Sequence, residues 1–411
     1  MVNNVFVGPS SLQGVVTVPP SKSIAHRLLI AASLAVENGS GVKLVQGVDE
    51  GTSEDLAATI RSIRALLDQD SEPVLLDCGE SASTLRFLVP IAAALGKTVL
   101  FTGEATLSRR PLREYGEIMA GKGVDLNFPA QGCLPLKLRG QLVGSTYYVP
   151  GSVSSQYVTG LLFALPLLTG NSEIWLTSPL ESEPYAAITE SVLEQFGIVV
   201  DRIIADGGEL KGWLVPGNQR YCLPAESLTV EGDYSQAAFW LVARYLGHGV
   251  EVRGLNPDSV QGDRVILELL ARLRPESDRE IEIDVSQVPD LVPPLAVAAC
   301  CRVGRTVLSG AGRLRLKESD RLHALAVELR KLGAAVEEGA EQLIITGGKP
   351  IMGGTADSHG DHRIAMALAI VALQTEDGVL IEGAEAVRKS YPHFFSELKR
   401  LGGAVRGIDL G

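Results

Sequence analysis

Six stretches of this chain are apolar on nearly every helical face, and each is opened by small or polar residues. They are Ser21-Lys22-Ser23 into Leu28–Ala35, Glu80-Ser81-Ala82-Ser83-Thr84 into Leu85–Leu95, and Ser152-Val153-Ser154-Ser155-Gln156 into Val158–Leu168. The other three are Asp233-Tyr234-Ser235-Gln236 into Ala237–Leu246, Pro289-Asp290 into Leu291–Cys301, and Gly360-Asp361-His362-Arg363 into Ile364–Leu373. A helix without a polar stripe belongs in a core, so six buried helices are expected. They recur at roughly 55–80 residues, too widely for a solenoid.

A second helix type alternates with the first. It is amphipathic and often ends in a glycine that can cap the last turn before a strand. Ser191–Phe196 before Gly197, Leu325–Leu332 before Gly333 and Phe395–Leu401 before Gly402 fit this pattern. Leu56–Leu67 is another, with Thr52 and Ser53 as cap candidates. Short β-rich runs fill the gaps at Val15–Val18, Val42–Val45, Pro73–Leu76, Thr98–Phe101, Ile174–Leu176, Val250–Val252, Ile281–Ile283, Leu343–Ile345 and Val379–Ile381.

The pattern resolves into six units, each with a buried helix, an exposed helix and short strands. Three units per domain is the natural division, with a break near Glu231-Gly232. The N-terminal strand can pair with either half on pattern alone. A chain of 411 residues exceeds the usual limit of one core, which agrees with two domains.

Composition then narrows the function. The net charge of −12 argues against a nonspecific nucleic-acid binder. It leaves room for a small anionic ligand in a locally basic site. Met1 to Gly14 lacks a basic, then apolar, leader pattern, and the apolar helices are broken before membrane length, so a cytoplasmic protein is expected. Cys78, Cys133, Cys222, Cys300 and Cys301 have no C-x-x-C spacing; reduced thiols are expected, with no metal and no cofactor. Nucleotide-binding glycine motifs and a nucleophile elbow are absent from the sequence.

The helix starts carry the candidate chemistry. A helix N-terminus presents unpaired N–H groups and the positive end of a dipole, and binds anions. Lys22, Arg27, Arg86, Arg110, Lys317, Arg321, Arg363 and Lys389 lie near these starts or in adjoining loops. Each also has a plainer reading. Ser21 or Ser23 can be a cap, Arg86 can pair with Glu80, and Arg109-Arg110-Pro111 can be a solvated loop. Lys317-Glu318-Ser319-Asp320-Arg321 can be an exposed charge run, and Asp361-His362-Arg363 a cap beside a surface histidine. Asp290 and Glu318 are the acid/base candidates.

Taken in order, these pieces resemble the 5-enolpyruvylshikimate-3-phosphate synthase family. The resemblance rests on Ser21-Lys22-Ser23…Arg27, Glu80…Thr84-Leu85-Arg86, Arg110-Pro111, Gly151-Ser152-Val153-Ser154-Ser155-Gln156 and Ser182…Tyr185. It continues through Glu231-Gly232-Asp233, Pro289-Asp290, Leu316-Lys317-Glu318-Ser319-Asp320-Arg321, Asp361-His362-Arg363 and Lys389. It implies an α/β (α+β) fold of two domains, each of three βαβαββ-type repeats with buried helices, the inverse α/β barrel of enolpyruvyl transferases. Residues 1–19 plus 232–411 would form one domain and 20–231 the other, with the active site in the cleft between them and closure on the substrates.

The implied reaction moves the enolpyruvyl group of phosphoenolpyruvate to the 5-hydroxyl of shikimate 3-phosphate, by a monomeric enzyme. Asp290, Glu318 and Lys22 resemble the family's catalytic groups. Lys22, Ser23, Arg27, Ser154, Ser155, Gln156, Ser182, Asp290 and Lys317 would hold shikimate 3-phosphate, with Tyr185 near it. Lys22, Ala82, Arg110, Gln156, Lys317, Arg321, Arg363 and Lys389 would hold phosphoenolpyruvate. Two departures stand out. Ala82 replaces a glycine common in the family, which implies reduced sensitivity to glyphosate. Arg313 stands where some members have Asn. The rival readings are a UDP-N-acetylglucosamine enolpyruvyl transferase, whose Lys-Asn start and loop cysteine this chain lacks, and a non-catalytic anion-binding protein on the same repeats.

Overall fold

The computed structural model describes residues 4–68, 72–273 and 279–407. All six apolar stretches are buried helices: Lys22–Val36, Ala82–Ala94, Ser155–Ala164, Tyr234–Tyr245, Val292–Cys301 and His362–Ala372. Their apolar faces build two separate cores, three helices to each. The chain divides accordingly into two compact units, Pro20–Val230 and Met1–Pro19 with Glu231–Gly411.

In the Pro20–Val230 unit two repeats are complete. Strands Val74–Asp77 and Val99–Thr102 run parallel around the Ala82–Ala94 helix, and Leu136–Gly140 and Val124–Asn127 add an antiparallel pair. Thr146–Pro150 and Ser172–Ser178 do the same around Ser155–Ala164, extended by Leu210–Val215 and Asp201–Ile204. A parallel pair needs a crossover, and here the crossover is the buried helix.

The other unit repeats the scheme. Ile281–Asp284 and Gly304–Ser309 are parallel around Val292–Cys301, with Leu343–Gly347 and Ala335–Glu338 antiparallel beyond them. Gly354–Asp357 and Val379–Glu382 are parallel around His362–Ala372. Here Val5–Gly8, a strand that precedes the one expected at Val15–Val18, completes the sheet, lying between Val379–Glu382 and Ala404–Arg406 with Val7 opposite both Val379 and Val405. Glu231 belongs with this unit through its carboxylate, which accepts from Asn256, Ser259 and Gln261.

The third repeat of each unit is shorter than expected. Among the described residues only two-stranded parallel ladders form there, Val45–Gln46 with Leu228–Thr229 and Gln13–Thr17 with Gly249–Arg253. Among the described residues the six sheets are separate and none closes into a barrel. Of the strand expected at Val42–Val45 only Val45 is in a strand; the rest falls in a 3₁₀ turn, Gly39–Leu44, entered through Asn38, whose side chain accepts from the Ser40 N–H. The turn packs so closely on the first buried helix that a Cβ on Gly41 would lie 2.4 Å from Ala32 O.

Close packing also sets up the site. The Ala82–Ala94 and Ser155–Ala164 helices cross at Gly160, where a Cβ would meet Arg86 O at 2.5 Å. That approach sets Arg86 beside Gln156. Among the described residues no helix is long and apolar enough to cross a membrane.

Candidate active site

In the Pro20–Val230 unit the three helix starts are tied to one another. Lys22, the first residue of its helix, donates from Nζ to Asp55 Oδ2 at 2.7 Å. Asp55 lies in the first turn of Glu54–Asp68 and is buried. One turn further, His26 Nδ1 is 2.7 Å from Thr59 Oγ1, which is 2.6 Å from Thr84 Oγ1, which donates to Ser81 Oγ at 2.8 Å. Burial pushes the His26 pKa down to about 3; Asp55 opposes this, and Lys22 and Arg27 add to it. The imidazole is therefore neutral near pH 7.

Arg27 is buried among neutral oxygens. Nε donates to Thr189 Oγ1 at 2.8 Å, Nη1 to Ser23 O at 2.6 Å, and Nη2 to Thr159 Oγ1 at 3.1 Å and Tyr185 O at 2.9 Å. These bonds use four of its five N–H donors. Burial lowers its pKa to about 9, with Tyr185 opposing. Arg86 does not pair with Glu80. It donates from Nε to Pro111 O at 3.1 Å and from Nη1 to Gln156 Oε1 at 2.6 Å, while Glu80 accepts from Thr106. Burial lowers the Arg86 pKa; Tyr157 opposes this and Arg110 adds to it, so two guanidiniums share one neighbourhood.

The remaining predicted residues of this unit frame those cations. Gln156 Nε2 donates to Ser83 Oγ at 2.8 Å, next to Ala82, the buried first residue of its helix. Ser154 caps its helix by accepting from Gln156 N, and Ser155 is the first helical residue. Ser182, buried at φ +57°, precedes the helix bearing Tyr185. Ser21 occupies the cap position of the first helix without a side-chain cap bond.

The other unit gathers its own set around Asp290. Its Oδ1 accepts from Lys317 Nζ at 3.3 Å and Arg321 Nη1 at 3.0 Å, and its Oδ2 from Arg363 Nη2 at 3.2 Å. Burial pushes the Asp290 pKa up, but Arg363, Lys317 and Arg321 outweigh it, with Glu318 opposing them, and hold it well below the carboxylate range. Arg321 also donates to Glu318 Oε2 at 2.7 Å and to both oxygens of Asp361, at 2.8 and 3.1 Å. The Lys317–Arg321 run is thus not an exposed face: the Arg321 side chain is 1% exposed and that of Glu318 is 11%. Burial lowers Lys317 to about 8, with Asp290 opposing and Arg321 and Arg313 adding to it. Arg313, the departure from the family's Asn, contributes by that repulsion.

Asp361 caps the His362–Ala372 helix by accepting from Arg363 N, and His362 is buried rather than at the surface. Lys389 is buried at the end of the Ala384–Lys389 turn. The predicted residues therefore fall into two sets, a cationic one built on helix starts and a mixed one built on carboxylates.

Sequence reasoning missed three buried acids. Asp55 reads as an ordinary first-turn carboxylate until it is seen holding Lys22. Asp361 was read as a cap, but not as the anchor of Arg321. Asp263, buried in the Gly262–Val265 turn, accepts from Ser235 Oγ. Its pKa is pushed up to about 7 by burial and by Asp290, with Arg363 and the Ser235 bond opposing. Nothing in the sequence around Asp263 signals this.

Residues 7–398 match the family model described as EPSP synthase (3-phosphoshikimate 1-carboxyvinyltransferase). The chain is 43% identical to a 3-phosphoshikimate 1-carboxyvinyltransferase of Clostridium kluyveri, over 99% of both chains. It is 40% identical to one of Clostridium acetobutylicum, over the whole of both. Among solved structures, EPSP synthase from Acinetobacter baumannii superposes with a TM-score of 0.77 at 26% identity, covering 99% of each chain.

Proposed function

The chain belongs to the EPSP synthase (3-phosphoshikimate 1-carboxyvinyltransferase) family, and from that premise we infer how its two charged sets divide one reaction. The reaction transfers the enolpyruvyl group of phosphoenolpyruvate to the 5-hydroxyl of shikimate 3-phosphate. It yields 5-enolpyruvylshikimate 3-phosphate and inorganic phosphate, a step on the way to the aromatic amino acids. The UDP-sugar alternative is not favoured.

The chemistry needs a proton delivered to C3 of phosphoenolpyruvate as the hydroxyl oxygen attacks C2. The resulting tetrahedral intermediate then loses a methyl proton and phosphate. Both stages call for positioned acids and bases beside fixed cations.

The observation that carries the assignment is Asp290, a carboxylate kept ionised by Lys317, Arg321 and Arg363 within 3.3 Å. An ionised carboxylate can accept the hydroxyl proton as the oxygen attacks. Lys317, lowered to about 8, is still protonated at neutral pH yet acidic enough to give up a proton. Glu318, bonded to Arg321, is the second carboxylate available for proton traffic.

We assign Arg110, Arg321, Arg363, Lys389 and Lys22 to the phosphate and carboxylate of phosphoenolpyruvate, where Arg suits bidentate contacts. Ser23, Arg27, Ser154, Ser155, Gln156 and Ser182 take shikimate 3-phosphate, with Asp290 and Lys317 at its reacting side. We place the enzyme in the cytoplasm as a monomer.

The test is phosphate release from phosphoenolpyruvate. Release that depends on shikimate 3-phosphate and is absent with a UDP-sugar is the expected result. Release with the UDP-sugar alone would overturn the reading.

A further inference from the structure

Glu328 is wholly buried on the Arg321–Lys331 helix, and the reaction outlined above gives it nothing to do. An ionisable side chain is seldom buried completely unless it is paired. Its partners are specific. Oε1 is 2.7 Å from His359 Nε2, Oε2 accepts from Asp357 N at 3.0 Å, and both oxygens accept from Lys331 Nζ at 2.8 Å.

His359 and Asp357 flank the turn that leads into Asp361 and Arg363. His359 sits at φ +54°, a left-handed conformation that a non-glycine residue adopts at some cost. Its N–H donates to Asp357 Oδ1 at 2.7 Å. Ser358 Oγ donates to Gly383 O at 2.8 Å, and Asp361 N donates to Ser358 O at 2.9 Å. The turn is thus held from both sides, and its strained residue is the one that Glu328 holds.

The spacing on the helix matters. Arg321 and Glu328 are two turns apart and share one face. Arg321 grips Asp361 directly, and Glu328 grips the turn just before it. One helix face therefore clamps this segment at two points, and Arg363 follows two residues after Asp361.

We propose that Glu328 and His359 are positioning residues, a tether between a buried carboxylate and a partly exposed imidazole that sets Asp361 and Arg363 against Asp290. The proposal rests on the reading of Arg363 as a phosphoenolpyruvate ligand. To donate to a Glu328 oxygen, Nε2 must carry a proton, in either the neutral or the charged ring.

The test compares His359→Ala with His359→Gln. The glutamine amide can reach Glu328 as Nε2 does, whereas alanine cannot. His359→Ala is expected to raise KM for phosphoenolpyruvate roughly fivefold, about one hydrogen bond's net worth, and to leave KM for shikimate 3-phosphate within about twofold. His359→Gln should restore most of the difference. A general loss of folded protein would lower kcat and leave both Michaelis constants alone.

Unchanged KM values in His359→Ala, or equal defects in the Ala and Gln variants, would overturn the tether. Amide exchange gives a readout without substrates: protection at residues 360–363 should fall in His359→Ala while residues 22–27 keep theirs. If wild-type protein shows no turnover, the functional reading fails, and the exchange result still decides the tether.

Discussion

Arg27 and Arg321 are both almost wholly buried guanidiniums near a helix start, yet their surroundings are opposite. Arg27 is bonded to two threonine hydroxyls and two carbonyls, and burial pulls its pKa down to about 9. Arg321 touches Asp290, Glu318 and Asp361, and although burial opposes it, those carboxylates push its pKa up. Neutral partners satisfy donors without cancelling charge. The Arg27 set therefore keeps a positive excess for an incoming anion, relieved where Asp55 meets Lys22 and where Glu114 lies near Arg86. In the Arg321 set the protein supplies its own anions, and the cations hold Asp290 ionised. One arrangement is suited to capture, the other to proton chemistry.

The sharpest way to break that division is Asp290→Asn. The amide keeps the shape but can neither hold the negative charge nor accept a proton. In phosphate-release assays kcat is expected to fall about a hundred- to ten-thousandfold. Binding of shikimate 3-phosphate, followed by calorimetry, should persist. A variant with near wild-type turnover would remove the carboxylate set from the chemistry.

The two arginines can then be compared directly on stability. Arg321→Met strands three buried or partly buried carboxylates and should cost about 3–5 kcal/mol in urea unfolding. Arg27→Met strands only neutral acceptors, and its two threonines already lie 2.9 Å from each other, so about 1–2 kcal/mol is expected. Equal losses would mean that the contrast in surroundings has no energetic content.

Much of this was legible in the chain because the six core helices are apolar all round, a signal that no surface helix imitates. The glycine stops were legible for the same kind of reason: Gly333 and Gly402 do take φ +92° and +103° after their helices. Val42–Leu44 failed as a strand because the two β-branched valines at the ends of the Val42–Val45 run outweighed the glycines before it. The constraint is instead Gly41, whose missing side chain lets the turn lie on Ala32. In the candidate sites, motif order pointed to the cations and Asp290 but not to the buried acids bonded to them. Asp55, Asp263 and Glu328 sit in segments where an acid is unremarkable, and only tertiary neighbours distinguish them. The pairing of Arg86 with Glu80 failed likewise, since sequence proximity was set against a carbonyl and an amide brought in by helix crossing.

The gentlest probe of the capture set is pH. His26 stays neutral when folded, with its pKa lowered by burial to about 3, whereas an unfolded histidine takes a proton near 6.5. Asp55, Lys22 and Arg27 are the charged groups that face it, and Thr59 holds its Nδ1. Between those two pKa values the unfolded chain binds the extra proton. Its contribution to stability is therefore complete above about pH 6.5 and is lost as pH falls toward 3, by about 1.4 kcal/mol per pH unit. His248 also has a pKa lowered by burial and slopes the same way, so the wild-type curve alone does not isolate His26. His26→Gln keeps a partner for Thr59 but does not titrate. Subtracting its urea-unfolding profile from that of the wild type cancels the His248 share, leaving a difference flat above pH 6.5 and sloping below it. A flat difference down to pH 4.5 would show that His26 is already solvated, and that the Lys22–Arg27 helix start is far less enclosed than its hydrogen bonds imply.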